Sequence, residues 1–339
     1  MNAKLRETQM RATFQAFAVA MAALAASIAG LDGVSAQQAY PSHPITIIVP
    51  AAAGGPTDTV ARLVGESMGR TLGQQIVVEN VGGAGGTIGM ARVAKATPDG
   101  YTLAVWHIAQ ATAPALYDNL RYHVIDDFDS IGRITDVPMT IVGKSTLEAK
   151  DIAELLAWVK DKQSAITYAH AGVGSASHLC ALMFMSAVGT QMTAVSYRGT
   201  GPAMNDLLGG QFDMMCDQTT GTTNQIKNGK IKGYAATTPA RLAVLPDLPT
   251  LDESGVKGFE VSAWHAMWAP KGLPGDVVEK LSTALQAALK DAKVVERFAS
   301  LGTEPVKLDQ ATPAALKAQL TSEVAKWGPV IKAAGAKGN

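Results

Sequence analysis

The chain has 339 residues, no net charge at pH 7 and only 17% charged side chains. That length is enough for two domains with their own cores, and with no basic stripe a nucleic-acid partner is not expected. Cys180 and Cys216 are the only cysteines, too few for a disulfide framework. Two separate buried thiols are expected, with a Cys180–Cys216 pair in an oxidising compartment as the alternative.

Residues 1–36 read as an export leader. Lys4, Arg6 and Arg11 form a positive start, Phe14 to Ile28 an Ala-rich apolar stretch, and Val34-Ser35-Ala36 a small-x-small cleavage site before Gln37. No cysteine follows closely, so no lipid anchor is expected, and no later run reaches the ~20 apolar residues that span a bilayer. The mature protein is expected to be soluble and exported, starting near Gln37.

Ile45 to Val49 is a short β-branched run, read as a buried strand. Pro50 to Pro56 ends it, and Val60, Val64, Met68 and Leu72 then mark one face of a helix, with Thr57 or Asp58 as its N-cap. Gln75 to Asn80 is a second strand, Val81 to Gly89 a glycine-rich loop, Ile88 to Ala96 a helix and Tyr101 to Trp106 a third strand. This β-α-β-α-β order signals a parallel sheet. Pro138 to Val142 is the next strand. Asp151 to Lys160 (helix), Ile166 to Ala169 (strand), a helix through Leu182 to Val188, Thr193 to Tyr197 (strand), Ala203 to Leu208 (helix), Phe212 to Cys216 and Gly233 to Ala236 (strands) repeat the architecture. Phe259 to Trp268 is a last strand, followed by helices at Asp276 to Lys290, Val294 to Ser300 and Thr312 to Ala334. The expectation is two α/β domains, 40–142 with 260–339 and 143–259, joined by two hinge crossovers around a cleft.

Cofactor motifs fail on spacing. Gly83-Ala84-Gly85 needs a glycine at 88 for a dinucleotide loop and has Ile88. Gly143-Lys144-Ser145 needs a glycine at 138 for a P-loop and has Pro138. No cofactor is expected. Gly65-Glu66-Ser67-Met68-Gly69 spells a nucleophile elbow but falls inside a predicted helix rather than on a strand-to-helix turn. Ser175 and His178, three apart at a helix start, do not set a nucleophile against a base in a recognised way. None of the six histidines has metal-ligand spacing. An enzyme is not expected, a secreted hydrolase acting on a small organic acid being the rival.

Three loops share another property. Ala53-Gly54-Gly55-Pro56-Thr57, Gly174-Ser175-Ala176-Ser177 and Gly199-Thr200-Gly201 each join a predicted strand to a helix. Each offers backbone N–H groups, the positive end of a helix dipole and one or two hydroxyls. Together, split across two domains, they predict an anion-binding cleft. Trp106-His107 ends the third strand at the same edge, and His178 stands beside the cleft as a structural hydrogen-bonder or a ligand contact.

Over nearly the whole mature chain the sequence resembles the extracytoplasmic receptors of the tripartite tricarboxylate transporter system, the Bug receptors. The resemblance rests on an ordered set: Tyr40-Pro-Ser-His-Pro-Ile45, Val49-Pro50 with Gly54-Gly55-Pro-Thr-Asp58, Val77-Val78-Glu79-Asn80, Pro98-Asp-Gly-Tyr-Thr-Leu103, Tyr197-Arg-Gly-Thr-Gly-Pro-Ala203 and Asp206-Leu-Leu-Gly-Gly210. It implies a type II-like periplasmic-binding-protein (Venus flytrap) fold. It also implies a monomeric receptor that closes around a small organic carboxylate for a membrane permease or a sensor. Its implied ligand contacts are Ala53, Gly54, Gly55, Thr57 and Asp58 on one side, and Gly174, Ser175, Gly199, Thr200 and Asp217 on the other. With His107 and His178 they make the candidate set. Ala51, Trp106 to Gln110 and Cys216 depart from the family pattern.

Overall fold

A computed structural model describes Met10, Phe17, residues 40–333 and residues 336–338. The leader read over residues 1–36 lies, those two residues apart, outside the described residues. Contacts separate residues 1–42 from the body, residues 43–339, and the fold below is that of the body.

β1 (Ile45–Val49) lies between β2 (Ile76–Asn80) and β3 (Thr102–His107), parallel to both. Its Ile and Val side chains are fully buried, as expected for a central parallel strand covered on both faces. The crossovers are α1 (Pro56–Leu72) and α2 (Thr87–Ala94). Next to β3 runs the antiparallel β9 (Ser262–Pro270), and next to β9 the long β4 (Phe128–Lys144). Phe128 to Pro138 of β4 pair with β9. From Met139 the partners change to β7 (Met214–Gln218) on one side and β8 (Ile231–Ala236) on the other. β5 (Thr167–His170) and β6 (Thr193–Ser196) extend this second sheet in parallel. β4 therefore threads both sheets, and each sheet forms the floor of one lobe.

The return path is pinned at one residue. Thr237, fully buried, accepts from the Met139 N–H at 3.1 Å, and its own N–H donates to the Met139 carbonyl at 2.9 Å. Its hydroxyl lies 2.7 Å from the Val261 carbonyl. β4 and the segment that returns from β8 to β9 thus meet at one threonine.

The structure departs from the expected elements where apolar periodicity is diluted. β4 begins ten residues before Pro138, because two bulges, at Ser130/Gly132 and Arg133/Thr135, break its alternation. α3 (Ala109–Leu116) and α7 (Thr219–Lys227) carried no sequence signal: one contains Pro114, the other is Thr-rich and of poor helix propensity. α7 is held by tertiary bonds, with Thr222 Oγ1 2.7 Å from Thr140 Oγ1 and Thr223 donating to the Leu301 carbonyl. β7 ends two residues later than read, which carries Asp217 and Gln218 to its tip, and β9 starts three residues later, at Ser262.

The cysteine expectation is overturned. Cys180, on α5 (Ala176–Val188), and Cys216, on β7, form a disulfide with Cα atoms 6.1 Å apart. The helix packs on the neighbouring strand at a separation a disulfide spans without backbone movement. The bond closes a 36-residue separation, for which loop-closure entropy assigns roughly 4 kcal/mol. Replacing both cysteines with alanine should lower the melting temperature by roughly 5–10 °C, measured by circular dichroism. An unchanged midpoint would show that the bond adds no stability.

Candidate functional site

Three helices begin at one seam between the lobes. α1 follows β1, α5 follows β5, and α6 (Thr200–Leu208) follows β6, all at the carboxyl ends of parallel strands, where open α/β sheets bind ligands. The N-cap of α1 is Gly55, without a side-chain bond, and Pro56 is its first residue. Thr57 and Asp58 are therefore first-turn residues, not the caps expected. Proline takes the first position because its missing N–H would have no helical partner there anyway. Ser175 caps α5, accepting from the His178 N–H at 3.2 Å, while Gly199 caps α6 with backbone alone.

Asp58 braces the first loop. Its Oδ2 accepts from the Gly54 N–H and from Arg62 Nε, both at 3.0 Å. Arg62 also donates to Asn80 Oδ1, and Asn80 Nδ2 donates to the Ala51 carbonyl. Burial alone would raise the Asp58 carboxyl, but the bonds from Arg62, Gly54 and Asn80 outweigh it and hold it below its ordinary value. The loop then meets the second lobe through backbone: the Ala52 N–H donates to the Arg198 carbonyl at 3.0 Å. A Cβ on Gly201 would stand 2.5 Å from the Ala53 carbonyl oxygen, closer than any side chain tolerates.

The seam encloses a cavity of about 20 Å³, room for roughly one water. Of the candidate set, Gly55, Thr57, Asp58, His107, Ser175 and Thr200 line it. Ala53, Gly54, Gly174, His178, Gly199 and Asp217 are not among its lining residues. The sequence reading missed Ser177 and Gln218, which also line it. Ser177 sits in the quoted Gly174–Ser177 loop and had that signal. Gln218 had none, because the strand carrying it was read two residues short.

The cavity wall has a defined polarity. The Ala109 N–H donates to His107 Nδ1 at 3.1 Å, so the proton of the neutral ring sits on Nε2. Burial, with His265 nearby, pushes the His107 pKa well below its ordinary value. Ser175 Oγ and Ser177 Oγ lie 3.0 Å apart, and Ser177 Oγ accepts from the Ala171 N–H. One hydroxyl proton joins the pair, which leaves one to donate elsewhere.

None of the serines singled out by sequence faces a base. Ser67, in the middle of α1, donates to Asp291 Oδ2 at 2.7 Å. The His178 ring takes the Gly174 N–H on Nδ1 at 3.3 Å rather than the Ser175 hydroxyl. Burial, with His170 adjacent, pushes it down to about 4. Thr57 Oγ1 does lie 3.0 Å from His265 Nε2, but burial pushes His265 down to about 4 as well, too weak a base to activate a hydroxyl at neutral pH. Among the described residues no group of three or more His, Cys, Asp or Glu could hold a metal ion.

Asp217 stands out at the site, beside the unpartnered side-chain Oε1 of Gln218. It is 1% exposed, and neither carboxyl oxygen makes a well-formed hydrogen bond, the Gln218 N–H and the Thr200 hydroxyl reaching it only loosely. Burial pushes its pKa up from 3.8 to about 7, against smaller pulls from the Gln218 backbone and the Thr200 hydroxyl. A carboxyl whose folded pKa is raised keeps its proton where the unfolded chain has lost it. Its contribution is therefore full below about pH 4 and lost as pH rises toward 7. Asp217→Asn should raise the melting temperature at pH 8 and change it little at pH 4. Equal shifts at both pH values would remove Asp217 as the source.

Comparison with known proteins gives one family. The pattern described as "tripartite tricarboxylate transporter family receptor" matches residues 60–336. A UPF0065 protein of Agrobacterium vitis, from the TAR-I ttuE-ttuC' intergenic region, is 59% identical over 300 residues, 88% of this chain and 87% of the relative. The periplasmic binding protein BugD superposes with a TM-score of 0.86 at 52% identity, covering 88% of this chain and 99% of that one. MatC of Rhodopseudomonas palustris, solved with bound malate, superposes with a TM-score of 0.83 at 38% identity, covering 86% of this chain and 100% of that one.

Proposed function

Because the chain belongs to the tripartite tricarboxylate transporter receptor family, we propose that it captures a small organic dicarboxylate in the periplasm. It holds the ligand between its lobes and presents the closed complex, as a monomer, to a membrane permease of that type. The leader over residues 1–36 delivers it there. The relative solved with malate supports the ligand class.

The observation that carries the reading is the convergence of three helix N-termini on one cavity that neither Lys nor Arg lines. Their first-turn N–H groups lack intrahelical partners and their dipoles favour negative charge. With the His107 Nε2–H and the spare Ser175/Ser177 proton they form a neutral donor array for a carboxylate. No bond of the ligand is made or broken.

A dicarboxylate does not fit in about 20 Å³, so the lobes part to admit it and close over it. We assign the pivot to the change of partners between Pro138 and Met139 and to the Thr237 clamp. The lobes are then 40–142 with 260–339, and 143–259. Only a ligand that touches both lobes drives closure, since equal affinity for open and closed forms shifts nothing.

Calorimetry with malate, succinate and citrate, paired with small-angle scattering, tests the reading: binding should be saturable and should compact the protein. Ser175→Ala should weaken binding about tenfold, the worth of one hydrogen bond to a charged group. Gly201→Ala should weaken it at least as much and abolish compaction while leaving the ligand-free melting temperature unchanged, because its Cβ opposes only the closed contact. Turnover of the ligand, or full compaction by the Gly201 variant, would defeat this account.

A further inference from the structure

The polarity of the cavity has a second side. His265 is fully buried, with Nδ1 3.0 Å from the Ala263 carbonyl. A carbonyl only accepts, so Nδ1 carries the proton and Nε2 presents a lone pair. Thr57 Oγ1, 3.0 Å away, must donate to it. The hydroxyl proton is therefore committed to His265, and what the Thr57 side chain can offer the cavity is lone pairs alone.

Another acceptor adjoins it: Gln218 lines the cavity, and its side-chain Oε1 is buried without a partner. Asp217 stands next to the start of α1: a Cβ on Gly221 would meet Asp217 Oδ2 at 2.9 Å and Pro56 Cγ at 3.3 Å. Thr57 of the first lobe and Gln218 of β7 thus line the same cavity. A carboxylate satisfies donors only, and none of these.

Resting on the receptor reading above, we propose that the cleft also recognises a hydrogen-bond donor carried beside the ligand's carboxylate, and that Thr57, made a pure acceptor by His265, reads it. The ligands so described are dicarboxylates with a hydroxyl or an ammonium group on the carbon next to a carboxylate. The unsubstituted diacid of the same length leaves Thr57 and its neighbours unpaired, and a site built to bond a polar group discriminates strongly against the analogue that lacks it.

The test is a calorimetric titration of the full-length protein with two matched sets: succinate, malate and aspartate, then glutarate, 2-hydroxyglutarate and glutamate. The malate and aspartate arms separate hydroxyl from ammonium. In the wild type at least one substituted diacid should bind more than about tenfold tighter than its unsubstituted partner. Thr57→Val keeps the shape and should collapse that ratio toward one, through lost affinity for the substituted diacid. Thr57→Ser keeps the hydroxyl and should keep the ratio. A wild type that prefers the unsubstituted diacids, or a valine variant that weakens all ligands alike, overturns the inference and leaves the carboxylate receptor standing. Wild-type protein that binds no organic carboxylate overturns both.

Discussion

Three helices that start at one seam create a problem that only closeness and charge together solve. Each presents first-turn N–H groups with no partner inside the helix, and each dipole places positive potential at the same point, worth roughly 0.3–1 kcal/mol per helix toward an anion. The small residues follow from this. Ala52, Gly199 and Gly201 meet backbone to backbone, because any larger side chain would hold the helix ends apart and separate the donors that a single carboxylate must reach together.

The same constraint explains why the brace around the first loop is charged while the cavity wall, Asp58 apart, is neutral. Asp58, Arg62 and Asn80 form a chain ending on the Ala51 carbonyl, and it sets the backbone of the jaw. The rest of the wall offers N–H groups, hydroxyls and the His107 imidazole, and the tautomers of His107 and of the His265 bonded to Thr57 are set by neighbouring backbone. A neutral array binds an anion without a buried guanidinium that would need a partner whenever the ligand leaves. The Cys180–Cys216 bond ties the helix that begins at Ser175 to the strand that ends in Asp217 and Gln218, so the donor loop and the acceptor tip of the second lobe hold a fixed relation.

Much of the frame was legible because it is periodic. The run Ile45 to Val49 and the spacing of Val60, Val64 and Met68 are strong signals, and they survive as β1 and the buried face of α1. The loops at 53–57, 174–177 and 199–201 were legible through glycine and hydroxyl content, and the structure brings all three to one seam. What stayed hidden depends on tertiary partners. The bulges of β4 erase its alternation, and α7 is helical through bonds to Thr140 and Leu301 rather than through propensity. No spacing rule links Thr57 to His265, 208 positions away, yet that contact decides whether the threonine gives or takes a proton.

That decision bears on how the receptor closes. With the lobes together, Asp217 and the side-chain Oε1 of Gln218 lie buried without partners, and polar groups buried unpaired disfavour that arrangement. A ligand that supplies a carboxylate to the helix ends and a donor to these acceptors removes the penalty from both sides of the seam. A bare anion removes it from one side only. Since a ligand shifts an open–closed equilibrium by no more than its difference in affinity for the two states, the orphaned acceptors convert a chemical distinction at one carbon into a difference in how fully the lobes shut. Polar groups that weaken the closed form on their own thus become the means by which closure discriminates among acids of the same size and charge.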